Sequence, residues 1–155
     1  VGIETSELLQ KSSIAELGRI LKGKVTLAGF LAKMAGDHPE MKVILNSSIV
    51  SEFGSRGQTA YAMANAYMNH LADHSTNMLS ILWPGWDHTG VAAQSMNAKS
   101  LKLQGMSLMA PGRGQAIFHQ LMATQGSVCV LDQNAALDYA AIGQLYSPTR
   151  GLNFL

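Results

Sequence analysis

The sequence KVILNSS at residues 42–48, followed after a turn by QTAYAMANA at residues 58–66, decides the fold of this chain. The apolar run from Lys42 to Leu45 has the length and β-branching of a buried strand, and it ends in two serines. A Gly/Ser-rich turn then opens an alanine-rich helix, on which Tyr61 and Asn65 share one face. Ser48 lies at the carboxyl end of the strand, where open α/β sheets bind their ligands. The sequence therefore predicts that a hydroxyl, a phenol and an amide converge on one crevice.

Patterns of helix and strand alternate along the rest of the chain. In chain order, the further predicted elements are a helix capped by Ser13 and Glu16 and ended by residues 36–39, a continuation of the Tyr61 helix to about His74, a strand over 78–82, a short helix from Pro111, and a strand over 127–131. Gly23 predicts a joint between two pieces of the first helix. This alternation is typical of a doubly wound parallel sheet, so we predict an α/β, Rossmann-like fold.

Composition limits the functional classes. The chain has 155 residues, a 47% apolar content and a net charge of +1, which fits one globular domain or part of one. The absence of a basic run argues against a nucleic-acid partner, and the absence of a long apolar segment or signal pattern argues against a membrane. The single cysteine, Cys129, precludes an internal disulfide and fits a reducing, cytoplasmic location. His70 and His74 have a spacing able to bind a metal, but no acidic or cysteine partner accompanies them, so we predict no metal.

Four features together resemble a known family. They are the two serines, the glycine-rich turn, the Gln-x-x-Tyr-Ala-x-Ala-Asn-Ala motif from Gln58, and Trp83-Pro84-Gly85-Trp86. They resemble the ketoreductase domains of modular polyketide synthases, which belong to the short-chain dehydrogenase/reductase superfamily. The resemblance covers about residues 1–140 and implies the C-terminal part of such a domain, with residues 141–155 as an exit segment or linker.

The resemblance also implies a set of catalytic residues, namely Tyr61, Ser48, Lys24 and Asn65. Lys24-Val25 resembles the motif that supplies the catalytic lysine in polyketide ketoreductases. Most reductases of the superfamily instead have that lysine four residues after the tyrosine, where this chain has Asn65. Without the resemblance, a helical lysine is usually a solvated surface charge.

Cofactor and substrate contacts follow from the same resemblance. The implied cofactor-binding residues are Lys24, Tyr61, Pro84 and Gly85, and the implied substrate-binding residues are Gln58, Phe53, Trp86 and Met96. The loop at 83–86 is expected to pass the nicotinamide and to open a substrate lid over about residues 87–110. The chain shows no glycine-rich dinucleotide turn between a strand and a helix. We therefore expect that turn upstream of Val1, in a partner segment.

The implied activity is NADPH-dependent reduction of a β-ketoacyl thioester carried by an acyl carrier protein. A free tyrosine has a pKa of about 10, and a nearby ammonium stabilises its phenolate, which suits Tyr61 as proton donor with Lys24 beside it. The expected partners are the acyl carrier protein and the upstream half of the domain or other synthase domains. The alternative is an inactive remnant with a scaffold role in a synthase. An unrelated hydrolase is disfavoured because the chain lacks a Gly-x-Ser-x-Gly elbow.

Overall fold

The computed structural model describes residues 10–55, 57–87 and 108–131. Its elements in chain order are α1 (Ile14–Asp37), β1 (Val43–Ser48), α2 (Val50–Phe53), α3 (Thr59–Asp73), β2 (Met78–Trp83), α4 (Pro111–Leu121) and β3 (Gly126–Cys129). The chain divides into two compact units. The first comprises Val1–Trp83 with Ala123–Val128, and the second comprises Pro84–Met122 with Cys129–Leu155.

Helix α1 is one continuous helix. It begins after Ser13, whose Oγ accepts a hydrogen bond from the Glu16 N–H at 3.1 Å, which confirms the predicted cap. It ends at Asp37, with His38 as the C-cap, within the stretch 36–39 that the sequence predicts. The predicted joint at Gly23 is wrong. A glycine inside a helix costs only about 1 kcal/mol relative to alanine, and the packing of α1 against α3 outweighs that cost.

The sheet has the strand order β1-β2-β3, and β1 and β2 run parallel. Their register pairs Val43 with Met78 at one end and Ser48 with Trp83 at the other. All six residues of β2 are buried, so both faces of this central strand are covered, as in sheets of the α/β class. The predicted α/β fold with parallel strands is confirmed.

The core of the first unit lies between α1, α3 and the first two strands. Small residues on the helices face apolar residues of the strands, which lets the helices approach the sheet closely. The buried members are Ala28, Ala35, Val43, Leu45, Met68, Ala72 and Met78. Because α3 packs on both β1 and β2, this core fixes the position of α3 on the sheet.

The second unit contains Pro84, Gly85 and Trp86 of the loop after β2, the two ends of the predicted lid, and α4. Trp86 bridges to Met109, and the Asp87 N–H donates to the Met109 carbonyl at 2.9 Å. The Trp86 indole lies against Gly114 of α4, where a Cβ atom would overlap the ring. Most of the predicted lid, namely residues 88–107 and therefore Met96, lies outside the described residues.

The structure also describes the single cysteine, the histidine pair, and the length and apolarity of the helices. Cys129 is buried, as free cysteines usually are. His70, on α3, and His74, which caps the end of that helix, are both exposed. The described residues include no group of three or more side chains suited to hold a metal ion. None of the described helices is long and apolar enough to cross a membrane.

Candidate active site

Asn65 is the centre of the candidate site. It lies one turn after Tyr61 on α3 and is 0% exposed, so its amide needs partners within the protein. Its Oδ1 accepts a hydrogen bond from Lys24 Nζ at 2.7 Å, and its Nδ2 donates to the Tyr61 carbonyl at 2.7 Å. The amide thus connects the lysine on α1 to the helix turn that carries the tyrosine.

Lys24 reaches this site from the middle of α1 and is half-buried. Its Nζ lies 5.1 Å from the centroid of the Tyr61 ring and 3.5 Å from the Asn46 carbonyl oxygen. Burial lowers the pKa of Lys24 from its usual 10.5, because a charged group loses hydration there. The Asn65 Oδ1 atom, the Asn46 carbonyl oxygen and the Tyr61 ring each attract the ammonium and so partly compensate for the lost hydration. The expectation of an ordinary solvated surface lysine does not describe this residue.

Ser48 is the last residue of β1 and is buried. Its Oγ accepts a hydrogen bond from the Val50 N–H at 3.3 Å, and its carbonyl accepts one from Ser51 Oγ at 2.6 Å. The neighbouring Ser47 Oγ donates to the Asn65 carbonyl at 3.4 Å. Within the described part of the chain the Ser48 hydroxyl acts as an acceptor, which leaves its hydrogen for a ligand oxygen.

The structure therefore joins Lys24, Tyr61 and Asn65 by direct contacts. It places Ser48 at the end of β1, next to Ser47, which contacts Asn65. Gln58 is buried immediately before α3, and Phe53 is the half-buried last residue of α2. Both belong to the same unit as the cluster, on the segment between Ser48 and Tyr61.

The implied contacts after β2 belong to the second unit. Pro84 is buried, Gly85 accepts a hydrogen bond from the Met109 N–H at 2.8 Å, and Trp86 is half-buried. The backbone at Gly85 and Trp86 thus pairs with the backbone at Met109.

Sequence reasoning missed two residues around the cluster, Asn46 and Asn69. The Asn46 carbonyl contacts Lys24, and its Oδ1 accepts a hydrogen bond from the Trp83 indole N–H at 2.9 Å. Asn69 lies buried on α3, where it contacts both α2 and β2. The spacing of four from Tyr61 to Asn65 to Asn69 could have revealed Asn69, because such residues share one helix face. No local signal identifies Asn46.

Comparison with known proteins places this geometry in a family. The KR domain family matches residues 2–88, which is more than half of the chain and includes all four implied catalytic residues. The chain belongs to the KR domain family. The predicted relationship to polyketide synthase ketoreductases is thereby confirmed.

The relatives of this KR chain are polyketide synthases. Polyketide synthase PksL of Bacillus subtilis (strain 168) is 32% identical over 130 residues, which cover 76% of this chain and 3% of that protein. This chain therefore corresponds to a small part of such a relative. The predicted context of a multidomain synthase agrees with these relatives.

Solved structures agree on the fold. The first ketoreductase of the tylosin PKS has a TM-score of 0.75 and 25% identity, covering 98% of this chain and 34% of that chain. The angucycline C-6 ketoreductase LanV with bound NADP has a TM-score of 0.64 and 14% identity, covering 80% of this chain and 53% of that chain. The latter similarity shows the fold alone. The predicted short-chain dehydrogenase/reductase fold is confirmed, and this family uses a nicotinamide cofactor.

Proposed function

We propose that this chain carries the acid–base residues of a polyketide synthase ketoreductase, which reduces a β-ketoacyl thioester on an acyl carrier protein with NADPH. The contact of Lys24 with both Asn65 and the Tyr61 ring is the observation that carries this proposal. Removing a lysine ammonium partly from water costs free energy, and a lysine that served only as a surface charge would not need to be buried. A position beside the Tyr61 phenol is useful if that phenol loses a proton, because the ammonium then stabilises the phenolate.

In this proposal Tyr61 is the proton donor. Reduction of a ketone requires a hydride at the carbonyl carbon and a proton at the oxygen that becomes an alkoxide. Tyr61 donates that proton, and Ser48 donates a hydrogen bond to the same oxygen. The Lys24 ammonium stabilises the tyrosinate that forms, because an opposite charge favours the ionised form of the phenol. Asn65 holds the ammonium in place through its Oδ1 atom.

The donors of this site fit a nicotinamide cofactor. An ammonium has three hydrogens, and the hydrogen bonds of Lys24 to Asn65 and Asn46 use two of them. The third can donate to a ribose hydroxyl, and we propose Lys24, Tyr61, Pro84 and Gly85 as the residues of this chain that hold the cofactor. NADPH, when bound, supplies the hydride. Gln58, Phe53, Trp86 and Met96 are the proposed substrate contacts.

The proposed partners are the acyl carrier protein and the upstream half of the ketoreductase domain. We use the term assembled domain for this chain together with that upstream half. The proposed boundaries are a catalytic portion over residues 1–140, with a lid at about 87–110, and an exit segment over 141–155. A cytoplasmic location stays a prediction.

The test is Tyr61→Phe in the assembled domain, with a β-ketoacyl thioester and NADPH as substrates. Loss of a general acid should lower kcat by about 10²–10⁴-fold. Tyr67→Phe is the matched control, because Tyr67 lies on the same helix and loses the same hydroxyl. We expect NADPH binding, followed by its fluorescence, to be unchanged in Tyr67→Phe. In Tyr61→Phe it should weaken but stay measurable, because the other proposed cofactor contacts remain.

Near-normal turnover of Tyr61→Phe would refute the assignment of the proton donor. Failure of the wild-type assembled domain to bind NADPH would favour the alternative, in which the chain is an inactive remnant with a scaffold role. Binding by the assembled domain but not by this chain alone would support a site shared between the two halves.

A further inference from the structure

Asn69 forms a buried polar network that the mechanism above does not use. It lies on α3, one turn after Asn65, and is 2% exposed. Its Nδ2 donates to Ser51 Oγ at 2.9 Å and to Glu52 Oε1 at 3.3 Å, both on α2. Its Oδ1 accepts from Ser80 Oγ of β2 at 2.8 Å. One side chain therefore ties the short helix α2 to both α3 and the central strand.

The network ends at the backbone of Ser48. Ser51 Oγ accepts the hydrogen bond from Asn69 and donates its own hydrogen to the Ser48 carbonyl at 2.6 Å. A serine hydroxyl has only one hydrogen to donate. Because Asn69 supplies a donor to Ser51, the Ser51 hydrogen is directed to Ser48 and to no other acceptor. The Ser48 hydroxyl is in turn fixed by the Val50 N–H of the same turn.

We propose that Asn69 is a positioning residue for Ser48, which it orients through Ser51 and the turn that joins β1 to α2. This inference rests on the proposed function, in which Ser48 binds the carbonyl oxygen of the substrate. A helix of four residues has little stability of its own, so α2 depends on contacts of this kind for its position.

The chemistry of the network requires an amide at position 69. Asn69→Asp keeps the size of the side chain but removes both of its hydrogen-bond donors. The new carboxylate would face the Glu52 carboxylate and would compete with the Ser48 carbonyl for the single hydrogen of Ser51. The change should therefore release Ser48 from Ser51 as well as separate α2 from α3.

The experiment measures kcat, the NADPH dissociation constant and amide hydrogen exchange in the assembled domain. We expect Asn69→Asp to lower kcat by about 10- to 100-fold, as small displacements of substrate-orienting groups do, with the NADPH dissociation constant unchanged. Amide hydrogen exchange at Val50 should become about 10-fold faster, since its acceptor Ser48 Oγ is no longer held. Ser51→Ala is a smaller change and should also lower kcat and speed exchange at Val50. It replaces Asn69→Asp in the experiment if that variant does not fold.

Asn77→Asp is the matched control. Its amide also holds two parts of the fold together, by donating to carbonyls that include those of Ala35 and Met41, but none of its partners belongs to the site. We expect it to leave kcat per folded molecule and the exchange rate of Val50 unchanged.

A double-mutant comparison separates positioning from general loosening. In a Ser48→Ala background, Asn69→Asp should change kcat by less than about 2-fold, because the group it positions is already absent. A full additional loss in that background, or unchanged exchange at Val50 in both Asn69→Asp and Ser51→Ala, would overturn the inference. Failure of the proposed function would instead appear as normal turnover of Tyr61→Phe, which these exchange measurements do not involve.

Discussion

Asn65→Leu is the substitution that most directly tests the cluster. Leucine has nearly the same size but no acceptor for Lys24 and no donor for the Tyr61 carbonyl. The loss at Tyr61 is minor, because in an α-helix that carbonyl also accepts the backbone N–H four residues later. The loss at Lys24 is larger, since a hydrogen bond to a charged group contributes about 1.5–3 kcal/mol. We therefore expect the free energy of unfolding of the assembled domain to fall by about that amount at neutral pH.

The pH dependence of this loss identifies its cause. Burial lowers the pKa of Lys24 below 10.5, so the unfolded chain retains the lysine proton at pH values where the folded protein has lost it. The cost of burying the charge is fully present below the folded pKa, decreases as the pH rises from the folded pKa to the unfolded value of 10.5, and is absent above it. Removing Asn65 Oδ1 increases that cost and lowers the pKa of Lys24 further. The destabilisation by Asn65→Leu should therefore shrink as the pH approaches 10.5.

The assay is urea unfolding of the wild type and the variant, followed by circular dichroism at several pH values. Asn77→Leu is the control, because the Asn77 amide donates to main-chain carbonyls and its penalty should not change with pH. A penalty at Asn65 that is below about 0.5 kcal/mol would refute the reasoning, because a hydrogen bond to a charged group contributes more than that. The reasoning would also be refuted if the destabilisation by Asn65→Leu varied with pH no more than the destabilisation by Asn77→Leu.

Two further predictions concern Lys24 in the first unit and Gly114 in the second. Lys24→Met should remove the rise in unfolding free energy that the wild type shows as the pH increases from the lowered pKa of folded Lys24 to 10.5, and a variant that retains this rise would exclude Lys24 as its source. Gly114→Ala should destabilise the protein by about 1–3 kcal/mol and shift tryptophan emission, because the new methyl group overlaps the Trp86 indole. Gly112→Ala on the same helix, with nothing near its added methyl group, should do neither; an equal effect of both substitutions would contradict the packing explanation.

Local sequence signals predicted most of the elements of the first unit. The Ser13 cap, the end of α1 near His38 and the strand that ends in two serines are short-range patterns, because each depends on neighbouring residues along the chain. The joint at Gly23 was wrong for the opposite reason. Helix propensity is a local quantity, whereas the contact of α1 with α3 that keeps the helix continuous joins distant parts of the sequence.

The candidate site divides in the same way. The sequence alone determined that Tyr61 and Asn65 share a helix face and that Ser48 ends a strand, because helical and strand periodicities fix such relations. Only the tertiary structure decided that Lys24 meets Asn65, that Asn46 supplies a second oxygen, and that Asn69 connects α2 to β2. These contacts join residues that are far apart in the chain or on different elements. They depend on how α1, α3 and the sheet pack, and no local pattern encodes that arrangement.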